Sequence, residues 1–449
     1  MPQEQNLDRK LGLFSVTNIV IANMIGAGIF TTTGLLMQDL QNVWLMLILW
    51  LVGGGIALTG AMCYGEVGAH IPKAGGEYSI LSDLYNPMIG FLSGWISFIV
   101  GFSAPIAASA IGFSEYMIRV FPAIFEYKSL GPEVFKKVYA IGVVAVFSFL
   151  HSRGMHFGSI LQNILTALKV LLILVLIAVG FTLGAGSWEH FSSTEPLELD
   201  FSKWKTIGLS VMWIMFAYSG WNASVYIGSE IRKPEKNLPR SLLIGTGSVM
   251  VLYFLLNALF VYAIEPDEMN GVISIGGLAV QEMFGTGIEK LFSFLIAFAL
   301  FSSLSAFIIL GPRVYYAMAR DGYFFPFVKR IHPTHKVPHL SIYFQGLIAC
   351  VIILTGTFDQ VLTYMGFSLG IFPIFVVIGL FRLRKSKKST TRLPGFPYTA
   401  ILFLFFSVAM LFLAYFNRPA ESSIALLTLL TGIPAYWLFK RYIKKNSNN

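Results

Sequence analysis

Charge is what this chain is short of. Asp, Glu, Lys and Arg make up only 12% of its 449 residues, about half the ~25% usual in soluble domains. That excludes a water-soluble globular protein for most of the length. Cysteine is almost missing: Cys63 and Cys350 both lie in apolar runs and offer no disulfide framework. There is no Gly-x-x-x-x-Gly-Lys-Ser/Thr phosphate loop, so nothing supports nucleotide drive. His70, His151 and His156 fall at the ends of apolar runs without metal-ligand spacing, and no nucleophile–base constellation appears. Neither an enzyme nor a metal or cofactor is expected. The net charge of +9 forms no basic stripe of the kind nucleic acid requires. Residues 1–12 are polar and the first apolar run has no small-residue cleavage site, so no signal peptide is expected.

What the chain has instead is apolar length. Hydrophobic residues reach 55%, aromatics 15%, and mean hydropathy is +0.70. A spanning helix needs about 20 apolar residues, and about twelve such runs are present. They are Phe14 to Met37, Val43 to Ala69, Pro87 to Phe121, Val134 to Leu150, Phe157 to Gly184 and Thr206 to Glu230. The second six are Ser241 to Ile264, Ile288 to Arg320, Leu340 to Thr357, Phe358 to Phe381, Tyr398 to Phe416 and Ser422 to Tyr442. The third is long enough to be tilted. The expected class is an all-α integral membrane protein of about twelve transmembrane helices, one transmembrane domain over residues 1–449.

The basic residues sort by side. The N-terminus, the even-numbered loops and the C-terminus carry 23 of the 32 Lys and Arg; Arg119, Lys128, Lys136, Lys137, Lys203, Lys205, Lys290 and Arg418 flank the odd-numbered loops. Both termini are therefore expected in the cytoplasm, with Arg382, Arg384, Lys385, Lys440 and Arg441 as topology anchors.

Two runs are interrupted. The first contains Asn23-Met24-Ile25-Gly26-Ala27-Gly28-Ile29-Phe30, and the sixth contains Phe216-Ala217-Tyr218-Ser219-Gly220-Trp221-Asn222. Glycine disfavours an unbroken helix, and freed backbone is tolerated in hydrocarbon only where it faces protein or a cavity. Breaks in spans one and six fit two five-helix repeats, 14–184 and 206–381, with 398–442 appended. Five is odd, so the second repeat would be inverted, a pattern that marks midplane binding sites in secondary carriers. Unwinding at Gly26 to Gly28 would free the amides of Ala27, Gly28 and Ile29 at a helix start, which suits a carboxylate. It would also free carbonyls near Met24 and Ile25, which suit an ammonium. A zwitterion satisfies both. The plainer alternatives are a small-residue packing face in span one and an aromatic core helix in span six.

Lys169 lies about 12 residues, roughly 18 Å, from either end of span five, too deep to snorkel. A charge there costs a few kcal/mol and needs an internal partner; freed span-one carbonyls and Ser302 and Ser303 of span eight are the candidates. Its ammonium could replace a bound sodium ion, give up its proton because burial disfavours the charged form, or lock two helices together. Glu66 should reach water or a loop. Glu115 and Arg119, four apart, should pair along one helix. Asn222 and Asn257 suit helix–helix hydrogen bonds. No carboxylate is apparent near the two breaks.

At these residues the chain resembles the amino acid–polyamine–organocation transporters, most closely the bacterial L-type and alanine-serine-cysteine-type exchangers. The resemblance rests on Ile25-Gly26-Ala27-Gly28-Ile29-Phe30, the stretch Tyr64 to Tyr78, Phe216 to Asn222, Glu230 to Arg240 and Pro312 to Gly322. It implies a twelve-helix, inverted five-plus-five fold with helices one and six discontinuous. It implies that Ile25 to Gly28 hold a substrate carboxylate and part of the amine. Phe216, Ala217 and Ser219 would offer carbonyls, Phe216 would serve as an aromatic lid, and Lys169 would stand in for sodium. Met24 and Asn222 complete the expected binding set. Ser219 stands where many relatives have Gly or Asp, and Ala27 replaces a frequent Ser. The loop between spans three and four has no cysteine, so no disulfide-linked accessory glycoprotein is expected. The function implied is sodium-independent transport of α-amino acids, neutral ones first, by exchange or with a proton, in the cell (inner) membrane. The alternatives are a cationic amino acid or polyamine substrate, or a non-transporting amino acid sensor.

Overall fold

The structure, a computed structural model, describes residues 9, 11–73, 75–122, 132–153, 159–192, 199–332, 334, 337–386 and 391–447. Lys128 and His156 lie outside them. Among the described residues the regular structure is helical, and the one extended pairing is the bridge between Leu11 and Ile231. In hydrocarbon a backbone that pairs within its own segment is the favoured solution.

The first span divides into α1 (Leu13–Met24) and α2 (Ala27–Leu40), followed by α3 (Val43–His70). A short helix absent from the sequence reading, α4 (Glu77–Leu84), precedes the third span. That span is α5 (Pro87–Ile96), a π-helical turn at 97–101, and α6 (Ser103–Val120), so it is not one regular rod. Then come α7 (Pro132–Ser152), α8 (Ser159–Leu183), α9 (Phe201–Ala217) and α10 (Pro234–Ala263). After them lie α11 (Ile275–Phe284), α12 (Thr286–Arg320), α13 (His339–Thr355), α14 (Phe358–Lys385), α15 (Tyr398–Asn417) and α16 (Pro419–Ser447). Ten helical stretches among the described residues are long and apolar enough to cross a membrane, with α13 a shorter apolar helix. The helix of span six, α9, has 17 residues. Starts are chemically marked: Asn42, Asn86 and Asp200 accept backbone N–H groups of α3, α5 and α9. The seventh span begins earlier than its apolar run because left-handed Lys233 turns the chain into Pro234 at the first helical position.

Burial separates centre from rim. In Pro87–Val120 the apolar window is 83% buried, against 22% in Pro419–Arg441. Leu171, Leu347, Phe405 and Leu427 are large, apolar and exposed on the outer faces, surface that lipid covers. One face of α3 is stripped of side chains where other elements press in. A Cβ on Gly53 would meet Ile214, one on Gly60 would meet Phe403 and Trp221, and one on Gly68 would meet Leu238 and Val225. Small residues permit such close approach.

Charged groups pair across helices. Glu66 takes a bidentate contact from Arg384 and the backbone N–H of Leu393, and Arg384 stacks 4.1 Å over Phe396. The pairing expected between Glu115 and Arg119 is not formed. Glu115 meets Lys136 at 3.0 Å, while Arg119 lies 3.8 Å from Glu289 and donates to Ser274. Neighbouring helices present partners that outcompete the weak local pair.

Removing one member of a buried ion pair strands the other, at about 3–5 kcal/mol. Arg384→Met should therefore lower the melting temperature in detergent, and adding Glu66→Gln should recover much of the loss. A melting curve unmoved by the single change would contradict this account of the pair.

Candidate functional site

The first break is two residues wide. Ile25 leaves the helix with ψ at 92°, and Gly26 is extended at φ −136°, a conformation open to any residue. No side chain caps the start of α2 at Gly26, so its first amides have no intrahelical acceptor. Asn23 spends its amide on Ile19 O, 2.8 Å away within its own helix.

The second break is longer. Helix α9 stops at Ala217, Gly220 turns with φ +97°, and short 3-10 segments follow at Ala223–Tyr226 and Gly228–Glu230. The expected continuation of an α-helix to Glu230 is replaced by these tighter turns, with Ser219 N–H on Phe216 O at 2.8 Å and Ala223 N–H on Gly220 O at 2.9 Å. Gly220 is required twice over: by its positive φ, and because a Cβ would sit 2.9 Å from the Asn23 carbonyl carbon. The breaks touch directly, since a Cβ on Gly28 would lie 2.4 Å from Ala217 Cα.

Lys169 lies behind the first break, 4% exposed. Its Nζ donates to Ile25 O at 2.9 Å, Ser303 Oγ at 3.0 Å and Ala22 O at 3.3 Å. Three donors meet three neutral acceptors, and among the described residues no carboxylate pairs with it. Ser303 in turn donates to Ile25 O at 2.9 Å. Ser302 is buried beside it and is not one of the acceptors of Lys169. Ile25 O, expected to be available to an incoming ammonium, already receives two donors, one for each lone pair.

Tyr253 of α10 was not anticipated. Its hydroxyl stands 2.6 Å from Met24 O and 3.1 Å from Ala217 O, the last carbonyls of α1 and α9. One phenolic proton serves both breaks. Its ring packs on Trp50 and Tyr218 at 5.6 and 5.1 Å. In the sequence such a tyrosine looks like any other core aromatic.

A cavity of about 110 Å³ opens beside the second break, well below the ~300–1,000 Å³ of pockets for drug-sized ligands. It gathers Phe216, Ser219 and Asn222 with Asn23, Ser97 and Glu77. Met24 to Gly28, Ala217 and Lys169 are not part of its wall, because Gly28 is pressed onto Ala217 between them. Glu77, on the short helix α4, corrects the sequence reading, in which no carboxylate was near the breaks. Its Oε1 accepts from Tyr64 Oη at 2.7 Å and from Asn222 Nδ2 at 3.0 Å. Asn222 therefore does tie elements together. Asn257 likewise accepts from Thr33 across helices.

Two helix breaks in contact inside an all-α, multi-pass bundle, beside a small cavity, define a membrane carrier. The chain belongs to the amino acid permease family, whose profile it matches over residues 11–434. It is 29% identical over 449 residues to the human b(0,+)-type amino acid transporter 1, covering 98% of this chain and 90% of that one. It is 28% identical over 444 residues to the human large neutral amino acids transporter small subunit 2, covering 96% and 80%. To the Asc-type amino acid transporter 1 of Mus musculus it is 27% identical over 444 residues, covering 96% and 81%.

The two glycines of the first break should separate on mutation. Gly28→Ala drives a methyl group into backbone and should cost about 1–3 kcal/mol, read as a lower melting temperature. Gly26→Ala meets nothing nearer than Ser303 Oγ, at 3.4 Å, and should melt near wild type. Equal behaviour of the two would refute the direct contact of the breaks.

Proposed function

We propose that this protein is a sodium-independent exchanger of α-amino acids with small neutral side chains, working by alternating access. The observation that carries the reading is the meeting of the two breaks around Lys169 and Tyr253. The uncapped amides of Ala27, Gly28 and Ile29 form a seat for a carboxylate. With both lone pairs of Ile25 O taken, the ammonium falls to the remaining acceptor capacity of Met24 O and the carbonyls of Phe216, Ala217 and Ser219, the first of which it shares with Tyr253. Ligand entry parts Gly28 from Ala217, and Phe216 closes over the bound solute. The size of the cavity favours small substrates, and the names of the relatives, all amino acid transporters, agree.

Lys169 supplies a fixed positive charge against the first break, where a sodium-coupled carrier needs a mobile one. Residues 14–184 and 206–381 form the two inverted repeats, with both termini cytoplasmic and the carrier in the cell membrane. It performs transport rather than catalysis. It works without a disulfide-linked partner, in keeping with a buried Cys63 and a half-buried Cys350 in apolar helices.

The test is exchange of a labelled amino acid in proteoliposomes preloaded with unlabelled solute. Exchange should persist when sodium is replaced by choline. Lys169→Ala should reduce it at least a hundredfold while the variant still inserts and elutes as a single species. Wild-type exchange rates in that variant would remove Lys169 from the mechanism; a strict sodium requirement would remove the fixed-charge reading.

A further inference from the structure

Glu77 is used by nothing described so far. It is 7% exposed, it stands in the first turn of α4, and it lines the cavity. Both its hydrogen bonds come from neutral donors, Tyr64 on α3 and Asn222 in the segment after the second break. Both fall on Oε1. The surrounding charges are occupied elsewhere. On α3, Glu66 is held by Arg384 of α14, and Cys63 is buried. Arg382 of α14 stacks on Tyr85. Lys73 is paired with Asp83 at 2.5 Å. Tyr78, the neighbour of Glu77, donates to Asp321 at 2.7 Å. Tyr226 faces the carboxyl from the segment after the break, with Tyr315 of α12 beyond it, and α5 contributes no ionisable side chain. Among the described residues no cation pairs with Glu77. A buried carboxylate without a counter-ion is unfavourable unless it takes a proton or reaches water.

We propose that Glu77 is a proton-binding latch. Protonated, it holds α4 against the segment that follows the second helix break. Its deprotonation releases that contact, and the cavity opens on the side where α4 lies.

The geometry supplies both halves of the device. The carboxyl bridges elements that must part if the cavity is to open beside α4, because Tyr64 reaches it from α3 and Asn222 from the segment after the second break. Opening would bring water to it. Burial pushes its affinity for a proton up, to a pKa of about 7, against the lowering effect of the Tyr64 and Asn222 hydrogen bonds. The start of α4 also favours the charged form, but burial outweighs both. The sign follows. The closed conformer has the higher proton affinity, so it is favoured as pH falls below neutrality. As pH rises from the ordinary carboxyl value of 4.5 through about 7, the balance shifts toward the open conformer by up to about tenfold per pH unit, and above that range it levels off. The proton is taken from and returned to water on the same face, so exchange is regulated without net proton transport.

This proposal rests on the carrier reading, and its test has one arm that does not. Infrared difference spectra of the purified protein, stepped in pH across neutrality, should show the carbonyl stretch of a protonated carboxyl group disappearing, and Glu77→Gln should lack that band. The band's absence from wild type, or its persistence in the variant, overturns the latch whether or not the protein transports anything. In proteoliposomes, exchange of a neutral amino acid should vary with pH near neutrality in wild type. In Glu77→Gln, whose amide keeps an oxygen for Tyr64 and Asn222, the profile should flatten. Identical profiles in the two proteins overturn the latch and leave the carrier reading standing. So does a variant that loses only exchange of lysine or arginine, which would make Glu77 a receptor for a substrate's basic side chain.

Discussion

A backbone interrupted in hydrocarbon must find partners for what it releases, and here side chains supply them. Lys169 is the chief of these. Its ammonium gathers two carbonyls at the end of α1 and the Ser303 hydroxyl of α12, so three helices converge on one nitrogen. The cost of a charge at that depth, about 2.5–3.5 kcal/mol on insertion scales, is opposed by three hydrogen bonds of 2.9 to 3.3 Å to neutral oxygens.

The second break is handled differently. Its carbonyls are largely consumed by tight turns, and Tyr253 takes up Ala217 O together with Met24 O. One hydroxyl thus links the two interruptions, while Gly28 and Ala217 touch directly. Movement at one break is therefore felt at the other over a single contact. The bare face of α3 sets these elements close enough for that to happen.

Much of this could be read from the chain itself, and the reasons for the rest are physical. Hydropathy and length gave the all-α membrane class. Glycine inside apolar runs located both interruptions, and depth alone required an internal partner for Lys169. What pattern could not show were partners distant in sequence. Tyr253 looks like core because an aromatic in an apolar helix shows only its ring to a hydropathy plot. Glu77 stands outside every span, and nothing periodic foretells how the chain between α3 and α5 folds back onto the cavity. Glu115 and Arg119 were paired by the one rule a single helix offers, yet each found a stronger neighbour across an interface. The seventh span starts at Pro234 because Lys233 adopts a left-handed turn, a conformation that residue type does not announce. Beyond the second break the apolar run continues to Glu230, yet tight 3-10 turns form there instead of a further α-helix, after Gly220 held at positive φ against Asn23.

The bridge between Leu11 and Ile231 also bears on motion. Leu11 exchanges two backbone hydrogen bonds with the strand-like stretch around Ile231, one onto Glu230 O at 3.0 Å and one from Arg232 N–H at 2.9 Å. This stitch fastens the lead-in of the first broken rod to the tail of the second. The two rods are thereby joined at their far ends as well as at their middles, and would swing as a rigid hairpin rather than as independent levers.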